Sequence, residues 1–354
     1  MTNVPTTMNA LVLDSYGPPE TAFKYSTVPV PRLSKPTEVL IQVVAASINP
    51  IEAKMRSGNI PSFFVKKKAI LGADYSGVVV EAGAKVVDFK VNDAVFGTFR
   101  HPFGPQGTYA EYVVVDTVKD EGLIAKKPDT TSFVDAASLG IAALTSMVAI
   151  VDSHPDPIKK VLVIGASGGV GMFGIQMAKE RGAYTVGICS GRNKDLVLNT
   201  YGADRVVDYT QPNALAGEEP NSYDIVFDLI GGDDYYNSCM PLVKEKTGIF
   251  ISAVGPAEHF GSKNVGVMTV VSVGATYVYR KLFASRRYAI VGALPHNKIK
   301  TGIGPWLQPG KKFKAYVPEE NIYDLKDGAK AHAKIDSHRA VGKVVLRVSP
   351  DPIK

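Results

Sequence analysis

With 354 residues, 45% hydrophobic and 21% charged, the chain has the length of two domains and the composition of a folded globular protein. That balance excludes a disordered chain, and two cysteines exclude a disulfide-built scaffold and point to free thiols in a reducing compartment. A net charge of +6 suits attraction to an anionic cofactor or a membrane surface, whereas no nucleic-acid-binding motif accompanies it.

The opening segment, Met1 to Asn9, is short and polar. It predicts neither a signal peptide nor an arginine-bearing transit peptide, hence a cytoplasmic location, with organellar import lacking a recognisable presequence left open. Short β-rich runs separated by Gly and Pro follow at Asn9–Leu13, Glu38–Val44, Gly77–Glu81 and Tyr112–Val115. They predict a twisted, barrel-like β domain. From Ser132 an apolar helix begins; its stretch Ala136–Val151 is interrupted by Ser138, Thr145 and Ser146 and falls short of the roughly 18–20 residues of a membrane span. Strand and helix then alternate through Val161–Ile164, Met172–Arg181, Tyr184–Cys189, Lys194–Tyr201, Arg205–Val207, Ile225–Leu229 and Gly248–Val254. This alternation predicts a doubly wound parallel sheet. After about Arg286 the pattern loosens, and a helix at Asp324–Ile335 and a strand at Gly342–Val348 return to the first domain. The predicted division is 1–130 with 287–354 for the β-rich domain and 131–286 for the α/β domain.

The sharpest motif is the strand Val161–Ile164 running into Gly165-Ala-Ser-Gly-Gly-Val-Gly171 and then a helix. It matches the dinucleotide fingerprint with Ala166 in place of the first glycine. Gly168 lets the backbone approach the pyrophosphate, and Gly171 lets the helix pack close on the strand. Ala166, Ser167, Gly168, Gly169 and Val170 are therefore the expected phosphate cradle, at a helix N-terminus that favours anions. The second strand ends in Cys189-Ser-Gly-Arg-Asn193, without the Asp or Glu that holds the ribose of NAD. Ser190 and the Arg192 guanidinium suit a 2′-phosphate instead, which predicts NADPH; the bland alternative is that Arg192 is simply exposed.

With these residues in hand the chain resembles the medium-chain dehydrogenase/reductase superfamily, in its quinone-oxidoreductase branch. The similar members include reticulon-interacting and chloroplast-envelope quinone oxidoreductase homologues. The resemblance runs through Ser47–Gly58, Gly72–Gly77, Asn92–Gly97, Gly107–Tyr112, Leu144-Thr145, the glycine loop, Tyr201–Tyr209 and Gly342–Leu346. It implies an α/β protein with a GroES-like β-rich catalytic domain and a Rossmann domain with a doubly wound parallel sheet, and a homodimer. It places Tyr209 with Ser190 and Arg192 near the 2′-phosphate, and Thr145, Val254 and Gly255 near the nicotinamide. Zinc members carry a Cys and a His-Glu pair where this chain has Asn49 and Ala73-Asp74, and two cysteines cannot build a four-cysteine lobe, so no metal is expected. His101 is the only histidine near the active-site segments that hold Asn49 and Ala73-Asp74.

Without a Lewis acid, an acceptor that delocalises its own charge is the tractable substrate. The resemblance therefore implies hydride transfer from NADPH to a quinone or an α,β-unsaturated carbonyl, with Asn49 and Glu52 as the catalytic candidates. Lys54 and Arg56 stand as possible cationic partners or surface charges. Ile60 lies near the place of the tyrosine of related 2-enoyl-thioester reductases, which weakens that alternative. A non-catalytic NADPH-binding protein in contact with a membrane is a second alternative.

Overall fold

The computed structural model describes residues 4–60, 64–99, 106–155, 157–256, 267–291, 298–308, 311 and 313–351, with the backbone alone for 267–270. They divide into two compact units. The first opens with a ribbon of β1 (Thr7–Leu13) and β2 (Phe23–Pro29). Its main sheet is built around β3 (Glu38–Ile48), which pairs with β4 (Asp74–Ala82) and β6 (Tyr112–Asp116). Beyond β4 lie β5 (Ala94–Thr98) and β7 (Ile124–Lys126). β3 is long because it is apolar at both parities: Val39, Leu40, Ile41 and Val43 are all buried, so both faces of the sheet are covered. Two register shifts against β4, at Leu40/Ile41 and Val43/Ala45, bend the strand as a curved sheet requires.

The second unit holds β8 (Lys160–Ile164), β9 (Tyr184–Cys189), β10 (Arg205–Asp208), β11 (Ile225–Asp228), β12 (Ile249–Ser252) and β13 (Arg287–Ile290). Every pairing in this sheet is parallel, in the order β10-β9-β8-β11-β12-β13. The chain winds outward from β8 to β10, then resumes on the other side of β8. The strand order therefore reverses between β8 and β11, and the crevice at the carboxyl ends of those strands is where such sheets take ligands. The chain then returns to the first sheet through β14 (Ile322–Asp324) and β15 (Val344–Arg347), the latter antiparallel to β3. The expected GroES-like sheet and doubly wound Rossmann sheet are both present.

The units part at different residues from the division read in the sequence. The first unit extends to Leu144, because Phe133 and Ala137 pack into its core with Val44, Ala45, Val78 and Val345. The second keeps Arg287–Ile290, because that strand hydrogen-bonds to β12 as the sixth member of the parallel sheet.

Candidate functional site

In the second unit the sequence candidates gather along the carboxyl edge of the parallel sheet. Gly165 leaves β8 with φ of 83°, a left-handed conformation that favours glycine. A Cβ on Gly171 would lie 2.3 Å from the Gly165 oxygen and 2.8 Å from the Ala166 Cα, so the helix Gly171–Glu180 begins directly against the strand end. Ala166 replaces a fingerprint glycine, and the neighbouring strand makes room for it. Its facing residue on β9 is Gly187, where a Cβ would come within 2.8 Å of the Ala166 methyl. Ala166 is buried and its N–H donates to the Ile188 oxygen at 3.0 Å. Ser167, Gly168, Gly169 and Val170 remain half-buried and form the turn itself.

The turn is tied down from two sides. The Ser146 hydroxyl donates to the Val170 oxygen at 2.8 Å, which fixes the neighbouring half-buried Thr145 relative to the loop. The Asn193 amide donates to the Ser167 hydroxyl at 3.1 Å. Ser190 and the short 3-10 turn Gly191–Asn193 follow β9. Arg192 is exposed in that turn, and its guanidinium has no hydrogen-bond or ion-pair partner among the described residues. A carboxylate does lie nearby, since a Cβ on Gly191 would meet Asp208 at 2.3 Å. That carboxylate is already engaged: it accepts from the Thr210 hydroxyl at 2.7 Å and the Thr210 N–H at 3.0 Å, which hold it below the usual carboxylate range. Tyr209, just past β10, is exposed, and its N–H donates to the Cys189 oxygen at 3.2 Å.

The remaining candidates, Val254 and Gly255, follow β12. The Ser252 hydroxyl accepts the Gly255 N–H at 2.9 Å and donates to Asp228 at 2.9 Å. Asp228 also accepts the N–H groups of Ile230 at 2.9 Å and Gly231 at 3.0 Å, while burial pushes its pKa up. This buried Asp–Ser pair shapes the chain after two adjacent strands. Sequence reasoning missed it; its only signal was a carboxylate and a hydroxyl ending two apolar strands. Both cysteines are free and buried, and burial pushes their thiols to about 11 for Cys189 and about 12 for Cys239. They are packing residues, not nucleophiles.

The other candidates lie in the first unit. Asn49 precedes the helix Pro50–Ser57, and the Glu52 carboxylate reaches back to accept the Asn49 N–H at 2.7 Å. Both are buried, at 2% and 0% exposure, and the Asn49 amide is fully used. Its nitrogen donates to Asp74 at 2.9 Å, and its oxygen accepts from the Lys343 ammonium at 2.6 Å. Lys343 also donates to the Ile48 oxygen at 3.1 Å and stands 4.0 Å from Asp74. Asp74 further accepts from the Ser47 hydroxyl at 3.1 Å and the Ile141 N–H at 2.9 Å. A Cβ on Gly140 would sit 2.1 Å from the Asp74 carboxylate, so glycine is what admits it there. Burial first, and then the Asp74 carboxylate, push Glu52 up to about 8, while burial pulls Lys343 below its ordinary value. Arg56 is not a surface charge: it is fully buried and pairs with Asp336 at 2.6 Å. Lys54 is half-buried, and burial lowers its pKa. His101 lies outside the described residues.

Residues 35–129 match the alcohol dehydrogenase GroES-like domain, and residues 201–346 match the zinc-binding dehydrogenase family. The chain is 31% identical to the chloroplastic NADPH-dependent alkenal/one oxidoreductase of Arabidopsis thaliana, over 98% of this chain and 81% of that protein. The chain belongs to the medium-chain dehydrogenase/reductase superfamily. Within this superfamily it is also 30% identical to the mitochondrial NAD(P)H oxidoreductase RTN4IP1 of Danio rerio, over 98% of this chain and 92% of that one. Among solved structures, the quinone oxidoreductase from Coxiella burnetii superposes with a TM-score of 0.79 at 28% identity, covering 97% of this chain and all of that one.

The zinc that names one of the matched families does not fit the donors in this member. Asn49 and Asp74 face the ammonium of Lys343, which already supplies the positive charge at that point. Among the described residues no group of three or more His, Cys, Asp or Glu is arranged to hold a metal ion. A dinucleotide does fit the second unit, where a glycine turn opens onto a helix N-terminus and an unpaired guanidinium stands at the next strand end.

Proposed function

We propose that this medium-chain dehydrogenase/reductase is an NADPH-dependent oxidoreductase acting on a quinone or an α,β-unsaturated carbonyl. The observation that carries the cofactor choice is Arg192, exposed and unpaired at the end of β9 beside Ser190, with no free carboxylate at that strand end. The names of the relatives support the acceptor class: one is an alkenal/one oxidoreductase that uses NADPH, and a structural neighbour is a quinone oxidoreductase.

In this reading Ala166–Val170 cradle the pyrophosphate through backbone N–H groups, and Ser190, Arg192 and Tyr209 hold the 2′-phosphate end. Thr145, Val254 and Gly255 border the nicotinamide, with Ser146 and the Asp228–Ser252 pair fixing the backbone around them. When bound, NADPH supplies the hydride, which adds at carbon of the acceptor while the negative charge spreads onto oxygen. Asn49 and Glu52 act as positioning residues rather than by touching the acceptor. Their polar atoms are committed to Lys343, Asp74 and the start of the helix Pro50–Ser57. Association of two copies is part of the same reading, supported by β13, whose outer edge pairs with no strand among the described residues. The two buried free thiols support a reducing compartment such as the cytoplasm.

The test is NADPH oxidation, followed by absorbance, with a panel of quinones and a panel of enals and enones. Turnover of at least one panel is expected, with NADPH favoured over NADH. Tight NADPH binding without oxidation by either panel would leave a binding protein and end the catalytic reading.

A further inference from the structure

The ribbon of β1 and β2 in the first unit turns its two faces to two different apolar clusters. Leu11 and Leu13 enter the main core of that unit, together with Met55 of the helix that Asn49 opens. Met8, Ala10 and Val12 alternate with them and so point the other way, where they pack with Val30, Leu40 and Ala110 in a second, smaller cluster. That smaller cluster borders a cavity of about 490 Å³, lined on its apolar side by Met8, Val12, Val30 and Ile70. The volume is that of a small-molecule site.

Strand β2 supplies the polar side. Lys24 and Ser26 stand opposite Val12 and Ala10 in the ribbon, which puts them on the same face, and both line the cavity. Neither the Lys24 ammonium nor the Ser26 hydroxyl has a hydrogen-bond or ion-pair partner among the described residues. Asp14 and Lys68, which also line the cavity, pair with each other. Lys68 holds the Asp14 carboxyl below its ordinary value, and Lys24 and Lys67 pull in the same direction, so three ammonium groups surround one carboxylate. Lys67 stands over the Tyr16 ring, 6.0 Å from its centre. Glu111 is the other carboxylate near the lining residue Tyr112. It turns to the opposite face of the ribbon, where it accepts the Asn9 N–H at 2.8 Å and the Asn9 amide at 3.1 Å. With Asp14 answered by Lys68, one cavity ammonium is left over. An apolar floor with one unanswered cation and a hydroxyl on the same strand face suits an apolar body that ends in one carboxylate, since its two oxygens need two donors.

We propose that this cavity binds a small amphipathic carboxylate, its chain or ring on Met8, Val12, Val30 and Ile70 and its carboxylate at Lys24 and Ser26. The site is separate from the redox reading. It uses no residue assigned to the cofactor or acceptor, and it lies on the face of the ribbon turned away from the core that holds Met55.

The test is calorimetric titration of the full chain with sodium decanoate, and with sodium 2-naphthoate to tell a chain from a ring. A Kd on the order of 0.1–1 mM is expected for at least one of them, as suits ligands of about a dozen heavy atoms. Decanol and decyltrimethylammonium, which keep the chain without the anion, should bind about fivefold or more weakly. Affinity for the carboxylate should fall about fivefold in Lys24→Glu, which reverses the charge at the rim, and about tenfold in Val28→Trp, which fills the cavity beside Met8. Lys246→Glu, at an exposed lysine of the second unit, should bind like the wild type. Lys24 is exposed, so Lys24→Glu should melt with the wild type and keep the test valid if Val28→Trp does not fold. No binding of either carboxylate, equal or tighter binding of decanol or decyltrimethylammonium, or affinity unchanged in Lys24→Glu would overturn the proposal.

Discussion

Glu52, Asp74 and Lys343 place two carboxyl groups and one ammonium where solvent does not reach. Such a cluster is neutral when one carboxyl keeps its proton. Glu52 is that group, pushed to about 8 by burial and by Asp74. An unfolded glutamate titrates near 4.3, so between about pH 4.5 and 8 the native state binds the extra proton and stability falls as pH rises. Glu52→Gln copies the protonated acid. It should flatten this fall in urea-unfolding free energies measured across that range, and change stability at about pH 5 by less than ~1 kcal/mol. An unchanged pH slope would refute the assignment. Lys343→Met should cost about 3–5 kcal/mol, because it leaves the Asp74 charge without its cation. The helix start at Asn49-Pro50 with Glu52 beside it was readable from local spacing. Its cationic partner was not, since Lys343 is 294 residues from Asn49 and reaches it only when β15 pairs with β3.

At the scale of elements, the glycine turn separates what folding needs from what the ligand needs. A Cβ on Gly171 meets only backbone, at 2.3 Å and 2.8 Å, and backbone cannot step aside. Gly171→Ala should therefore lower stability by about 1–3 kcal/mol as well as NADPH affinity. A Cβ on Gly168 meets only the Gly165 oxygen, at 3.3 Å. Gly168→Ala should melt close to the wild type yet bind NADPH about tenfold or more weakly in a fluorescence titration, because its methyl stands where the pyrophosphate approaches. Equal loss of stability in both variants would contradict this division. The strand–turn–helix pattern announced the motif from sequence. The fit of Ala166 against Gly187 could not be read there, since the two meet only across neighbouring strands.

For the whole molecule, the change from short β runs to strand–helix alternation marked the two units but misplaced their edges. Periodicity reports which element a segment forms, not which core it joins. Phe133 and Ala137 sit in a helix that looks like the start of the α/β region, yet they fill the first core. The carboxyl edge of the second sheet gathers residues from the ends of β8, β9, β10 and β12, so its ligand couples strands far apart in sequence. A ligand that binds only the native state adds about 2.7 kcal/mol at a hundred times its Kd. For units of this size that corresponds to a rise in melting temperature of about 5–10 °C. NADPH should produce this shift, and NADH at the same concentration a smaller one. Arg192→Ala should bring the NADPH shift down to that of NADH while leaving the ligand-free melting temperature unchanged, because the guanidinium has no partner among the described residues. Equal shifts for the two dinucleotides in the wild type would remove the case for a 2′-phosphate site. No shift with either would remove the dinucleotide site itself, because the linkage depends on binding to the native sheet edge and not on turnover.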